Sequence, residues 1–330
     1  MRLANILAAA SAAIALLATT SAHAAEKMEK VTIAWLPIMQ TTAFYVAMEN
    51  KLFEKAGIEL KAVRFENPNQ IVDALVSGQA DVGAPGTAAG ITALAESRFP
   101  GSFRIFGLEG GGNKAGRIND GLIVAKNSSI HSFRDLKGKS LGHLPGIQWR
   151  TIARYMVRQA GLDPDKDVRL QDIATGLQVP SVVSGSIDAT LSLEPVGSIA
   201  VASGDAKRAM TNPAETMVAD PFYSGVSVLT TRFIKERPET ARKVVAVLDE
   251  ATRMANQSFD TYRPVISRYT AIKPDQVGVV AQPYLRAWNE IDPTDIASYQ
   301  ALVDVFQKEG VLKKRVDVSS LILTSKDFAK

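Results

Sequence analysis

Cysteine is missing from all 330 residues, and histidine occurs only three times. The first absence excludes disulfides, thiol nucleophiles, cysteine-containing zinc sites and iron–sulfur clusters. It also excludes a lipid-modified N-terminal cysteine. The second absence leaves nothing from which a Ser-His-Asp triad or a metal cluster assembles: His23 falls in the leading segment, and His131 and His143 lie in or near turns. An excess of one charge is lacking too. The 38 Lys+Arg stand against 34 Asp+Glu and are interspersed with them, so a nucleic-acid footprint has no support. The glycine-rich "EGGGNKAG" at 109–116 has neither the phosphate-loop arrangement nor the dinucleotide spacing, and a nucleotide site is rejected. After the first residues, no apolar run is long enough to read as a membrane span.

What is present begins with "MRLANILAAASAAIALLATTSAHA", residues 1–24. One early charge (Arg2), an Ala/Leu/Ile stretch and the small-x-small site Ala22-His23-Ala24 make a secretory signal cleaved after Ala24. A membrane anchor is the competing reading. The strongly apolar part is too short and alanine-rich to span a bilayer of ~30 Å. The mature chain is therefore expected to start at Ala25, exported to the periplasm. With 46% hydrophobic and 22% charged residues it has the composition of a globular protein long enough for two domains.

The sequence then repeats itself. "IVDALVSGQADVGAPG" at 71–86 is echoed by "VPSVVSGSIDATLSLEP" at 179–195, with Gly78 and Gly185 107 positions apart. Around the first, "VTIAWL" reads as a strand and "AFYVAMENKLFEKAG" as a helix stopping at Gly57. "IELKAVRF" is a strand, Asn67-Pro68 caps a helix ending at Gly78, "ADVGAP" is a short strand, and Gly86-Thr87 opens the next helix. Around the second, "KGKSLGHL", "WRTIARYMVRQAG", "DVRLQDI", a shorter helix to Gly185, "IDATLSL" and a helix opened by Pro195 follow the same order. Strand alternating with helix builds parallel sheets, and the repeat predicts two similar α/β lobes. From Pro238 one apolar face (Ala241, Val244, Val245, Leu248, Ala251) predicts a helix packed on the first lobe.

"DGLIVAKNSSIHSFRDLKGKSLGHLPG", "LPIMQTTAFYVAMENKLFEKAGIEL", "ALVSGQADVG" and "VFQKEGVLKKRVDVSSLI" together resemble the periplasmic substrate-binding proteins of ABC importers. The branch they resemble binds nitrate, sulfonates and taurine, and includes binders of thiamine-pyrimidine precursors. The resemblance implies a two-lobed α/β fold of the type with two crossovers (type II) and a ligand cleft between the lobes. It further implies discontinuous lobes, 25–117 with 223–330 and 118–222 between them, with the crossovers near "GGGNKAGRINDG" and "ADPFYSG". Its functional implication is a monomer without cofactor or metal. Such a protein captures a small organic anion by closing on it and delivers it to a permease with its ATPase subunit. The alternatives are a neutral-heterocycle binder, an enzyme of the thiamine-pyrimidine type, or a sensor acting through a partner; few histidines and the export signal argue against the enzyme.

In open α/β sheets ligands sit beyond the C-terminal ends of strands. This points to Gln40, Thr41 and Thr42, to Gly86 and Thr87, to Gln148 and Trp149, and to Glu194 before Pro195. Unpaired N–H groups at the first three loops would suit an anion, while Glu194 would hold a ligand ammonium or simply bond a neighbouring backbone. The threonines have an equal reading as caps of their own helices. Asn113 on the first crossover and Tyr223 after the second are further candidate contacts; Trp35 reads as core, and Arg150 and Arg117 stay open. Intact-mass analysis of protein from a periplasmic extract should give an unlipidated chain starting at Ala25, and an unprocessed cytoplasmic chain would contradict the export reading.

Overall fold

The computed structural model describes residues 28–329; the leader assigned to 1–24 lies outside them. Two separate sheets organise the chain. The first holds β1 (Glu29–Trp35), β2 (Ile58–Arg64), β3 (Val82–Ala88), β4 (Phe103–Gly111), β10 (Phe222–Thr230) and β11 (Tyr284–Ala287). The second holds β5 (Asp120–Ala125), β6 (Lys139–His143), β7 (Val168–Asp172), β8 (Ala189–Leu193) and β9 (Ala206–Thr211). Their orders are β11-β4-β10-β3-β1-β2 and β7-β6-β8-β5-β9.

Read from β2 and from β7, the two orders match over five strands, with β11 added at the far edge of the first sheet. β1 pairs in parallel with β2 and β3, as β6 does with β7 and β8. An antiparallel strand then closes each trio, β10 beside β3 and β5 beside β8. The echo in the sequence is therefore a structural repeat. Gly78 and Gly185 end equivalent helices at φ +78° and +75°, a left-handed turn that glycine adopts without steric cost. The fold is the two-lobed α/β architecture, and the chain passes between sheets after Gly111 and returns before Phe222.

Helices α1 (Thr42–Glu49), α2 (Pro68–Val76), α3 (Ala89–Arg98), α4 (Ile147–Gln159), α5 (Thr175–Val183) and α6 (Val196–Ser203) follow their strands. Asn67 caps α2 by accepting from the Asn69 N–H at 2.9 Å, with Pro68 in the first turn. α7 (Pro213–Met217) precedes the return. α8 (Pro238–Gln257) buries Ala241, Val244, Val245, Leu248 and Ala251 and packs on α1. Full burial contributes about 1.5–3 kcal/mol for each Val or Leu, enough to fix this long helix to the lobe. α9 (Pro293–Lys308) lies against α3 and α4, bridging the lobes.

Two boundaries differ from the sequence reading. The stretch read as one helix from Ala43 to Gly57 breaks at Lys51, which is left-handed at φ 54°. Asn50 turns its amide back to the Val46 carbonyl at 2.8 Å and closes α1 there. The helix expected at Gly86-Thr87 starts only at Ala89. β3 runs on to Ala88 because β10 pairs with Thr87 and Ala88, and that strand lies more than 130 residues away in sequence.

Helix α3 meets α9 at a glycine. A Cβ on Gly90 would stand 2.3 Å from the ring of buried Phe306. Gly90→Ala should therefore destabilise by about 1–3 kcal/mol in urea unfolding, the usual cost of overpacking, instead of giving the gain of Gly→Ala in an open helix. Adding Phe306→Leu should recover part of the loss; no loss in the single variant would mean that the helices are not this close.

Candidate functional site

The parallel strands of both sheets end at the seam between the lobes. Leaving β1, the chain runs through Leu36-Pro37-Ile38 into a tight turn at Met39–Thr41. Gln40 is buried there, and its Nε2 donates to Asn119 Oδ1 at 2.6 Å and to Ser224 Oγ at 2.7 Å. Gln148, in the first turn of α4, is equally buried. Its Oε1 accepts the Gly90 N–H at 2.7 Å, and its Nε2 donates to the Ser224 carbonyl at 2.8 Å. These two amides, expected to face a ligand, instead hold the lobes to each other.

The hydroxyls and N–H groups expected to be open are largely taken. Thr42 Oγ1 donates to the Met39 carbonyl at 2.5 Å and Thr87 Oγ1 to the Ala84 carbonyl at 2.8 Å. Both hydroxyls are taken by a carbonyl three residues back, and neither threonine caps a helix, the alternative that the sequence left open. Gly86, at φ +91°, gives its N–H to Glu109 Oε2 at 3.0 Å. Thr41 differs: its hydroxyl is buried without a hydrogen-bond partner. A Cβ on Gly86 would come within 3.1 Å of it, so glycine is required there for the turn and the strand to touch.

Three further candidates point elsewhere. Glu194 is buried with Oε1 paired to Arg208 and Oε2 accepting the Ser198 N–H at 3.1 Å, so its charge is already compensated and no ammonium is needed. Tyr223 turns into its own lobe, where its hydroxyl donates to Asp295 Oδ1 at 2.6 Å and its ring stacks on Tyr284 at 6.0 Å. Its neighbour Ser224 faces the seam. Asn113 is exposed and ties the crossovers, donating from its N–H to Asp220 Oδ1 at 2.9 Å and accepting from Asn212 Nδ2 at 3.1 Å. Trp149 is buried in the core, as is Trp35, and Arg150 is exposed.

Empty space between the lobes lies to one side of the amides. A cavity of about 240 Å³ is lined by Leu36, Pro37, Ile38, Arg64, Glu66 and Pro68, and closed by Leu144, Thr175, Gly176 and Ala271. Grooves of about 430 and 460 Å³ open on the outside of the six-stranded lobe, away from the seam. Arg64 ends β2, lies 5.8 Å over the Trp35 ring and pairs with Glu66 at 2.8 Å. Thr175 begins α5, whose positive end faces this space. The sequence reading applied the strand-end rule to β1, β3, β6 and β8 but not to β2 and β7. Applied there, it would have reached Arg64 and Thr175.

Beneath the seam the acids are unusual. Burial pushes Glu109 up to about 8 despite hydrogen bonds from Ser227 and Gly86. Burial also raises Asp120 to about 6, and raises Glu215 well above the ordinary carboxylate range, with the adjoining Asp120 charge as a further cause. Among the described residues no group of three or more His, Asp or Glu stands ready for a metal ion.

Sheet order, crossovers and seam define the class: a two-lobed protein of the periplasmic binding-protein fold. The profile of NMT1/THI5 like proteins matches residues 113–258, and that of the NMT1-like family matches 24–97. Together these two matches span about two thirds of the chain. A protein of Bacillus subtilis (strain 168) named for binding aliphatic sulfonates is 26% identical over 273 residues, 82% of this chain and 78% of the relative. The 4-amino-5-hydroxymethyl-2-methylpyrimidine phosphate synthase THI12 of Saccharomyces cerevisiae is 21% identical over 68% of this chain and 66% of its own length. Among solved structures, the periplasmic aliphatic sulphonate binding protein SsuA from Escherichia coli has a TM-score of 0.70 at 18% identity. It covers 91% of this chain and 99% of that one.

Glu109 generates a test. Its raised pKa means that between about pH 4.5 and pH 8 the folded chain holds a proton that the unfolded chain has released, so stability falls as pH rises through that window. Asp120 and Glu215 act in the same direction. Comparing Glu109→Gln with the parent therefore isolates one acid. Urea unfolding across the window should show a shallower fall for Glu109→Gln, and equal slopes would mean that Glu109 ionises normally.

Proposed function

We propose that this chain is an exported, periplasmic solute-binding protein that takes a small organic anion into the cavity between its lobes. Acting as a monomer without cofactor, it presents the ligand to an ABC permease and its ATPase subunit. The lobes are 25–117 with 223–330, and 118–222. The observation that carries this reading is the cavity of about 240 Å³ with walls from both lobes and Arg64 at its edge. A ligand there touches both lobes at once, so binding favours the closed arrangement over an open one. The apolar walls suit a hydrocarbon body, and Arg64 suits a sulfonate or carboxylate head, for which its planar fork is well matched. A ligand ammonium would turn to Glu66, which already lies 2.8 Å from Arg64, and not to the compensated Glu194.

A second reading takes a neutral heterocycle of the pyrimidine type. It is favoured by the six apolar wall residues Leu36, Pro37, Ile38, Pro68, Leu144 and Ala271, and by the likeness to the THI12 synthase. Histidine chemistry of an enzyme finds little support, since His143 is buried in lobe-two core and held low by that burial.

The compound that copurifies with the mature chain, identified by mass spectrometry, provides the titrant. Calorimetry with Arg64→Gln should show affinity weakened by about 10- to 100-fold, the scale of a lost charge-assisted hydrogen bond. Thr87→Ala, with its hydroxyl turned to the backbone, should bind as the parent does. A neutral best ligand with unchanged affinity in Arg64→Gln would replace the anion reading with the heterocycle one.

A further inference from the structure

Gln148 does more at the seam than fill space. α3 starts at Ala89, and its first free N–H groups face the other lobe across the seam. In a cleft built to take an anion at that helix end, Gly90 N–H would be left open. Here it is taken by a side chain of the opposite lobe, at 2.7 Å, while the other end of the same amide reaches the Ser224 carbonyl at 2.8 Å. Both partners are backbone groups of the six-stranded lobe, and Gln148 is 3% exposed. Every hydrogen-bonding direction it uses crosses between lobes.

We propose that Gln148 is a built-in latch, a positioning residue that holds the two lobes closed in the absence of ligand by standing in for the ligand at the start of α3. It rests on the two-lobed reading of the protein and deepens it. Gln40 makes a second buried bond between the lobes, Nε2 to Asn119 Oδ1 at 2.6 Å, and Gln148 reaches across twice, to two backbone groups. Arg158 Nε meets the buried Glu309 carboxylate at 3.1 Å, with the arginine itself about half exposed. The Met39 N–H reaches the Glu194 carbonyl at a long 3.4 Å. The Gln148 bonds are short and buried, and breaking the latch without opening would strand a buried N–H and a buried carbonyl. Separation of the lobes restores water to both, so removing the latch shifts the population toward the open form. A ligand that needs the closed form then binds with an apparent affinity reduced by the closed fraction lost.

The absence of cysteine makes the test direct. Lys61→Cys on β2 and Arg169→Cys on β7 place two exposed labels on matching strands at the outer edges of the two sheets, with no other thiol to label. Spin-label distance measurements are made on the ligand-free protein, with Gln148 intact, as Gln148→Met and as Gln148→Glu. Methionine keeps the volume and removes both hydrogen bonds. Glutamate keeps the shape, can still accept from Gly90, and sets an oxygen against the Ser224 carbonyl. The expected result is one short distance population with Gln148 and a second, longer population in both variants. A long population already dominant with Gln148, or unchanged short distances in both variants, overturns the latch. Matching thermal melts of the labelled parent and the methionine variant show that the fold itself survives. No ligand is added, so failure of the latch and failure of the anion assignment are read separately.

Discussion

Ser224 accepts from two glutamines, Gln148 of the second sheet's lobe at its carbonyl and Gln40 of the first at its hydroxyl. The rest of the interlobe geometry follows from this meeting. A carboxamide buried without partners costs about 1–3 kcal/mol per unpaired group, so each amide has to find its partners within the seam. Gln40 reaches Asn119 at the entry to the second lobe, and Gln148 reaches the start of α3 in the first. With the centre of the seam filled by protein groups, the open volume is displaced to one side, between the ends of β1 and β2 and the start of α5. That displacement decides which side chains meet a ligand.

The matching strand orders explain why two crossovers suffice. Each sheet receives three strands from a continuous pass of chain and an antiparallel strand laid down directly after a crossover, β5 on entry and β10 on return. The returning strand carries Ser224, so the hinge and the seam share one element. The crossovers are further tied by Asn113, Asn212 and Asp220, and the buried acids Asp120 and Glu215 sit beside them. The two connections are thereby fixed to each other.

Much of the fold was legible because its cues are local. Gly78 and Gly185, Asn67-Pro68, and the apolar face of α8 each report their own neighbourhood, and the repeat supplied the architecture. The extent of β3 was not legible, because its last residues are strand only through pairing with β10. The site was harder still. Gln40, Thr41, Thr42, Gly86 and Gln148 were reached by the strand-end rule, and they do lie at the seam, but the rule cannot tell which polar groups will satisfy one another. For Glu194 the backbone alternative is the one seen, at the Ser198 N–H, and its ion pair was out of view because Arg208 follows only on the next strand, β9. Tyr223 and Ser224 were exchanged because a strand's two faces are indistinguishable without knowing which one meets the partner lobe.

The central claim is that protein groups, not ligand, complete the seam. Hydrogen exchange at the Gly90 amide in the ligand-free chain tests it most directly, since that N–H lies in the first turn of α3 and has no partner within its own helix. Capped by Gln148 across the seam, it is predicted to exchange slowly, with protection comparable to amides in the middle of α3. Exchange at the rate of an exposed helix terminus would contradict the account.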